Sequence, residues 1–385
     1  MKHLTINFNT HYKLDLNEIS KKLEQFLKEK IISLNPISNI YSSSIHNFEV
    51  TTATSKRYFL RMEKNAPLDT ELKGTIMLSN YLKVSEILIS KPRTKNNPSW
   101  LLTNFYEGKL MSEYFCNEEA TDNFLSFNEN LLKLEEKKEL ELIKSYKNTR
   151  SLNKREIIKT TGSKLFSGRV LGERKNEYYD SNNNTIGSLF NKNFIINGRE
   201  FNYSPKDLLE KIKSKLETQD SQIYTTYLGH NDAHQGNILI EDKSQEFVLI
   251  DCEYADYATA YQDLAKPYYI DYLGTYFFYF PKFMRRHIKE LSFKLKGDKI
   301  AIDFKIEENF IKARAELVKI KLNARKNYLN GNDFLTLNEY LLICHLLTKN
   351  PNNYPLDLQI LFLATTFALN EFNPNEPEDL FKSIQ

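Results

Sequence analysis

The sequence predicts an α+β fold of two unequal lobes, a small antiparallel-sheet lobe first and a large α-rich lobe after it. Three observations lead there. Short apolar runs separated by polar turns occupy the N-terminal part, long segments of helical periodicity occupy the C-terminal third, and between them a loop rich in His, Asn and Asp opens a pair of apolar strands. At 385 residues the chain exceeds one usual core, so lobes over residues 1–105 and 106–385 are the natural division.

The elements follow in order. Ile19, Leu23, Phe26, Leu27 and Ile31 fall at helical spacing within 16–34, and Pro36 closes that helix. Phe48 to Thr52 and Tyr58 to Met62 flank the polar turn Ala53 to Arg57, a hairpin signal. Alternation places Phe59 and Arg61 on one face of the second strand. Residues 69–83 form a helix with Asp69 as its N-cap, and Glu71 lies in its first turn. Strands at 85–90 and 100–105 complete the lobe, joined by a polar turn with Pro92 and Pro98.

The Leu-, Lys- and Glu-rich stretch 128–150 is helical, its charges forming a solvated face. Residues 162–205 turn to Gly, Asn, Tyr and short apolar runs, an irregular or hairpin insertion that is either a lid or disordered. An amphipathic helix at 206–216 leads into the loop, and 307–329, 338–347 and 356–372 are helices with breaks at Gly331 and Pro351.

The loop His230-Asn231-Asp232-Ala233-His234-Gln235-Gly236-Asn237 carries the chemistry. Asp232 and Asn237 stand five positions apart, and Asp251 follows fourteen beyond Asn237, after a hairpin of Ile238 to Ile240 and Phe247 to Ile250. A carboxylate such as Asp232 can accept the proton of an attacking hydroxyl. Asn237 offers a neutral amide oxygen and Asp251 a charged one, a pair that suits Mg²⁺, which shares the rest of its shell with water and phosphates. The result is a buried hairpin with a candidate metal ligand at each end, and Gly236 provides the turn between base and amide. A charged hairpin with an incidental Asn is the alternative.

This text resembles the aminoglycoside phosphotransferase superfamily, whose catalytic loop reads His-x-Asp-x-x-x-x-Asn, and within it the choline and ethanolamine kinases, because Glu253-Tyr254 follows the metal Asp and Asp263-Leu264-Ala265 lies about ten positions on. The resemblance implies a protein-kinase-like fold and transfer of the γ-phosphoryl group of ATP, with Mg²⁺, to the hydroxyl of a small molecule. It implies Asp232 as base, Asn237 and Asp251 as metal ligands, Arg61 as clamp for the α and β phosphates, and Glu71 as its partner. Ser43 and Ser44 fall where a loop would cover the phosphates, and Asn104 and Phe105 where a hinge would receive adenine. His230 and Asp263 would hold the loop by hydrogen bonds. Glu253 is expected on the strand face of Asp251, within reach of metal or substrate. A surface cation on an edge strand is the alternative for Arg61, and a dipole-favoured first-turn acid the alternative for Glu71.

The aromatic run Tyr268 to Phe280, with Asp271 inside it, bears on the acceptor. Aromatic faces beside a carboxylate can hold a quaternary ammonium, so Asp271 and Tyr272 are candidate substrate contacts; a packed helical stripe is the alternative. Choline or ethanolamine leads among acceptors, an aminoglycoside-like or sugar alcohol is second, and a nucleotide-binding pseudokinase is the reading from another class.

Composition narrows the rest. A net charge of +3 over 53 basic and 50 acidic residues gives no field to attract nucleic acid. Cys116, Cys252 and Cys344 lack the spacing of a disulfide frame or zinc site, and no apolar run reaches the roughly eighteen residues of a membrane span. A cytoplasmic enzyme is expected.

Overall fold

The computed structural model describes residues 16–37, 46–63, 68–91, 99–120, 126–153, 160–180, 185–218, 224–329, 333, 335–382 and 384. Helix α1 (Leu16–Leu27) buries Leu23 against the sheet. It stops seven residues earlier than its periodicity suggests, because Lys28 takes a left-handed φ of 54° and Ile31–Ile37 becomes strand β1. The Glu24 carboxylate accepts the Ile31 N–H at 2.9 Å, which fixes the turn. Pro36 sits on β1 at the sheet edge, where a missing N–H is tolerated.

The hairpin β2 (His46–Thr52) and β3 (Arg57–Glu63) pairs antiparallel, and β4 (Ile87–Lys91) and β5 (Ser99–Asn104) complete a five-stranded sheet of order β1-β2-β3-β5-β4. Phe48, Val50, Tyr58, Leu60, Met62 and Leu102 make its core. Helix α2 (Asp69–Leu78) follows β3; its N-cap is Leu68, so Asp69 is the first helical residue and makes no cap. Gly74 is required there, since a Cβ would stand 2.0 Å from the Cys252 carbonyl oxygen. That close approach seats α2 on the turn after Asp251.

The rest of the chain is mainly helical, with Glu308–Arg325, Leu337–Leu347 and Leu356–Glu371 close to their expected bounds. Two expectations are corrected. The insertion is not irregular: its hairpin alternative holds, since Asn193–Ile196 pairs antiparallel with Arg199–Phe201, and short helices beside it bury Leu165, Phe166, Ile186 and Phe190 with Phe194 and Phe201 in the main core. Residues 181–184 lie outside the described set. Asn193–Ile196 pairs in parallel with Lys299–Ile306, itself half of a hairpin with Ile288–Lys296.

The second correction concerns the charged helix Glu129–Leu142. Its face is not solvated: Glu135, Lys138 and Glu139 are fully buried. Lys138 pairs with the two glutamates, as does Lys321 from the helix Glu308–Arg325, whose Arg325 pairs with Glu139, and Lys321 also reaches Asp271 at 2.8 Å. Such clusters are tolerated inside a protein only when each charge has a partner.

His345 is a further buried polar group. Its Nε2 lies 2.7 Å from the Phe362 carbonyl and its Nδ1 2.7 Å from the Tyr269 hydroxyl, so the neutral ring is satisfied on both sides. Burial depresses its pKa to about 3. Below about pH 6.5 the unfolded chain therefore takes up a proton that the folded ring refuses, and stability falls as pH drops, by about 1.4 kcal/mol per unit. Urea unfolding at pH 7 and pH 5 should differ by roughly 2 kcal/mol from this group. An identical pH slope in His345→Gln would remove it as the source.

Candidate active site

Arg61 lies on β3, paired with Asn47 of β2 and Leu101 of β5, so its strand is central and not an edge. Its guanidinium contacts Glu71 at 2.9 Å, Asp251 at 2.8 Å and Glu63 at 3.3 Å. Burial opposes the charge, but Asp251 and Glu71 outweigh it and hold Arg61 above its ordinary range. Glu71 is buried, which pushes its carboxyl up to about 8 against the pull of Arg61. A freely solvated first-turn acid does not describe it.

Strands Ile238–Glu241 and Phe247–Leu249 form the expected hairpin, with Gly108–Leu110 as a third strand. Because they run antiparallel, Asn237 and Asp251 meet at one end and do not sit at opposite ends. The Ile250 N–H donates to the Asn237 carbonyl at 3.1 Å and so ties the two ends together. Asn237 Nδ2 donates to the Asp232 carbonyl at 2.9 Å, which turns its amide oxygen outward.

The strained positions are Asn231 and Asp251, with φ of 61° and 58°. Gly236 lies in the 3₁₀ turn Gln235–Asn237 between base and amide, as expected, but without a positive φ, so the turn does not use glycine's left-handed freedom. Asn and Asp tolerate the left-handed region better than most residues. Asn231 Nδ2 binds the carbonyls of Tyr254 and Asp256 at 2.8 and 3.1 Å. His230 Nε2 stands 3.0 Å from the Ile250 carbonyl, joining the loop to the residue before Asp251.

Asp263 lies beneath the loop. It accepts the Asn231 N–H at 2.6 Å and the Tyr146 hydroxyl at 2.6 Å, and pairs with Arg325 at 3.2 Å. Gly229 makes room for it, since a Cβ there would stand 2.5 Å from Asp263 Oδ1. Asp271 is buried too and accepts the Gln235 N–H at 3.1 Å, while Gln235 Nε2 donates to Glu135 at 3.0 Å. The buried charges thus support the loop from below.

Asp232 is 4% exposed, and its Oδ2 is taken by the ammonium of Lys266, on the helix Ala260–Tyr269. Its Oδ1 is buried with no hydrogen-bond partner. Lys266 also stands 5.3 Å from the centre of the Tyr254 ring. Sequence reasoning missed Lys266, although it lies one helical turn past Asp263. His234 Nε2 is 3.7 Å from Asp232 Oδ1, and its Nδ1 accepts the Gly236 N–H at 3.0 Å.

Several other expected sites are placed differently. Cys252–Tyr254 is a single 3₁₀ turn, so Glu253 does not share a strand face with Asp251; burial and the charge of Asp251 raise its carboxyl to about 7. Tyr272 is core, its hydroxyl donating to the Pro377 carbonyl, and Tyr268 and Tyr276 are buried beside it. Tyr268 to Phe278 form a packed stripe and offer no cage, while Tyr279 and Phe280 at the end of the run are half-buried. The N–H groups of Asn104 and Phe105 donate to Glu86 and Arg57 carbonyls at 3.3 Å, so neither is available to an adenine. Ser43 and Ser44 lie outside the described residues.

No disulfide joins the cysteines, and among the described residues no helix is long and apolar enough to cross a membrane. No curated protein matches the chain. In solved structures the chain is similar to an aminoglycoside phosphotransferase mutant in complex with AMP-PNP and hygromycin B, at 11% identity and a TM-score of 0.49, over 91% of this chain and 97% of that one. It is similar also to an ethanolamine kinase of Plasmodium vivax, at 14% and 0.46 over 92% and 84%, and to a type I macrolide 2'-phosphotransferase, at 11% and 0.40 over 99% and 98%. Residues 202–275, which hold Asp232, Asn237, Asp251 and Asp263, match the phosphotransferase enzyme family.

Proposed function

We propose that the protein transfers the γ-phosphoryl group of ATP to a hydroxyl of a small polar molecule, with Asp232 as base. The observation that carries this reading is Asp232 itself: one oxygen held by Lys266, the other buried and unpartnered, beside the hairpin end where Asn237 and Asp251 meet. A buried acceptor atom without a donor is costly unless a ligand supplies one. The hydroxyl of an acceptor would do so.

In this scheme the Asn237 amide oxygen and the Asp251 carboxylate would hold Mg²⁺, a donor set of hard oxygens that fits the ion. The ion, when bound, would neutralise charge on the β and γ phosphates. Arg61, steadied by Glu71, would clamp the phosphates. The acceptor oxygen bonds to the γ-phosphorus as the bond from that phosphorus to the β–γ bridging oxygen breaks, and the hydroxyl proton passes to Asp232 and on to water. ADP leaves with the electron pair of the broken bond.

Lys266→Met would release Asp232 from its fixed orientation. It is expected to lower kcat by roughly 10²-fold, the scale of a small misplacement of a reacting group, with the KM for ATP little changed. An unaltered kcat would separate Lys266 from the reaction. The acceptor is best sought by a coupled screen over choline, ethanolamine, aminoglycosides and pentose analogues. Choline had its physical basis in the aromatic run, and Tyr268 to Phe278 of that run are core. The acids expected to meet an aminoglycoside fare no better, since Asp263 and Asp271 are spent on buried ion pairs.

A further inference from the structure

Arg169 stands apart among the buried cations. Lys138, Lys266, Arg314, Lys321 and Arg325 each contact a carboxylate. Arg169 is 8% exposed and donates from Nη1 to the Thr348 hydroxyl at 2.9 Å, with no carboxylate at ion-pair distance among the described residues. A buried guanidinium without a counter-charge is expensive, and a ligand anion removes that cost.

Its surroundings repeat the sign. Lys349, next to Thr348, is half-buried, lies 3.6 Å over the Tyr279 ring and likewise has no carboxylate partner among the described residues. Burial alone lowers its pKa to about 8. Arg174 donates to the Leu347 carbonyl at 3.1 Å, a contact that the end of the helix Leu337–Leu347 explains. Arg169 binds the hydroxyl of Thr348, the C-cap of the same helix, so the helix end favours its charge too but supplies no full counter-charge.

Arg169 lies on the helix Ser167–Leu171, which packs on Leu337–Leu347 and on Thr161–Lys164, and the latter packs on the turn Cys252–Tyr254. Cys344 lies on the helix that ends just before Thr348, and that helix packs on the one that carries Lys266. The Tyr254 and Tyr279 hydroxyls and the Cys344 thiol each feel the charges of both Asp232 and Arg169. The packing of Arg169's helix toward Tyr254, whose ring is 5.3 Å from Lys266, places the guanidinium and the base around one region. Lys266 is matched by Asp232, whereas Arg169 and Lys349 have no carboxylate partner among the described residues, so an anionic group is what these two would draw.

We propose that the acceptor carries an oxyanion, a carboxylate or a phosphate, which Arg169 and Lys349 hold while its hydroxyl faces Asp232. The proposal rests on the phosphotransferase reading for the hydroxyl and on Arg169 for the anion. Guanidinium groups match the geometry of both anions by paired N–H donors.

The test titrates inorganic phosphate, glycerol 3-phosphate, glycerate and choline into protein saturated with Mg-AMP-PNP, followed calorimetrically, beside turnover with ATP and the same alcohols. At least one anion should bind saturably and choline should not, glycerol 3-phosphate against glycerate telling phosphate from carboxylate. Arg169→Met should weaken the bound anion at least tenfold, Arg169→Lys should restore part of it, and Lys349→Met should weaken it with the fold intact. Binding or turnover of choline with none of the anions bound would overturn the proposal, as would no binding by any probe. An anion affinity unchanged in both Arg169→Lys and Lys349→Met would do the same. Anion binding without phosphoryl transfer would uphold the anion site while rejecting the kinase reading.

Discussion

Asp232→Ala is expected to reduce phosphoryl transfer by roughly 10²–10⁴-fold, the usual range for a positioned general base, while Mg-ATP still binds. Two features make the effect large. Asp232 Oδ1 is a buried acceptor with no hydrogen-bond partner among the described residues, as Asn231 Oδ1 is too, and Lys266 holds the other oxygen of Asp232, so no neighbour stands ready to replace it. Besides Lys266, His234 stands at Asp232, its Nε2 3.7 Å from Oδ1, but burial keeps it below its ordinary range and its Nδ1 is already bonded to the Gly236 N–H. Asp232→Asn retains the shape and tests whether the carboxylate charge is needed. Single-turnover assays with a separate nucleotide-binding measurement would decide. Undiminished turnover in either variant removes Asp232 as base, and a parallel loss of nucleotide binding points to a collapsed loop.

Asp263→Ala should have the largest effect on stability. Removing it leaves the Asn231 N–H, the Tyr146 hydroxyl and one side of Arg325 without their shared acceptor inside the protein. Breaking a buried pair in this way costs about 3–5 kcal/mol, and the loop that carries Asp232 would lose its anchor at Asn231. Urea unfolding should show the loss directly. Asp263→Asn keeps the size and part of the hydrogen bonding, so it should recover part of the stability. If Asp263→Ala unfolds at the wild-type midpoint yet loses turnover, Asp263 acts on the chemistry and not on the framework.

Legibility in the sequence follows the range of the interactions. The hairpin Phe48 to Met62 and the C-terminal helices were readable because their signals are local, namely alternation, helical spacing and a polar turn. The loop residues Asp232, Asn237 and Asp251 were readable because their spacing is set by one tight turn and one hairpin. Helix α1 was overrun because Ile31 fits both a helix stripe and a strand, and only the left-handed Lys28 and the pairing of Ile31 with Thr52 separate the two.

The misread parts depend on distant partners. Glu135, Lys138 and Glu139 look like any solvated helical face until Lys321 and Arg325 arrive from almost two hundred residues away. The insertion seemed irregular because its strand Asn193–Ile196 finds its parallel partner a hundred residues on, at Lys299–Ile306. Tyr272 carries the same text whether it lines a cage or fills a core.

By itself, then, the sequence determined the kind of chemistry and the order of the elements, because a catalytic turn and amphipathic spacing are written in neighbouring residues. The tertiary structure alone decided which charges are buried together, that Lys266 orients Asp232, and that Arg169 has no counter-charge among the described residues. Those are properties of dielectric and distance between segments far apart in the chain, and no local pattern encodes them.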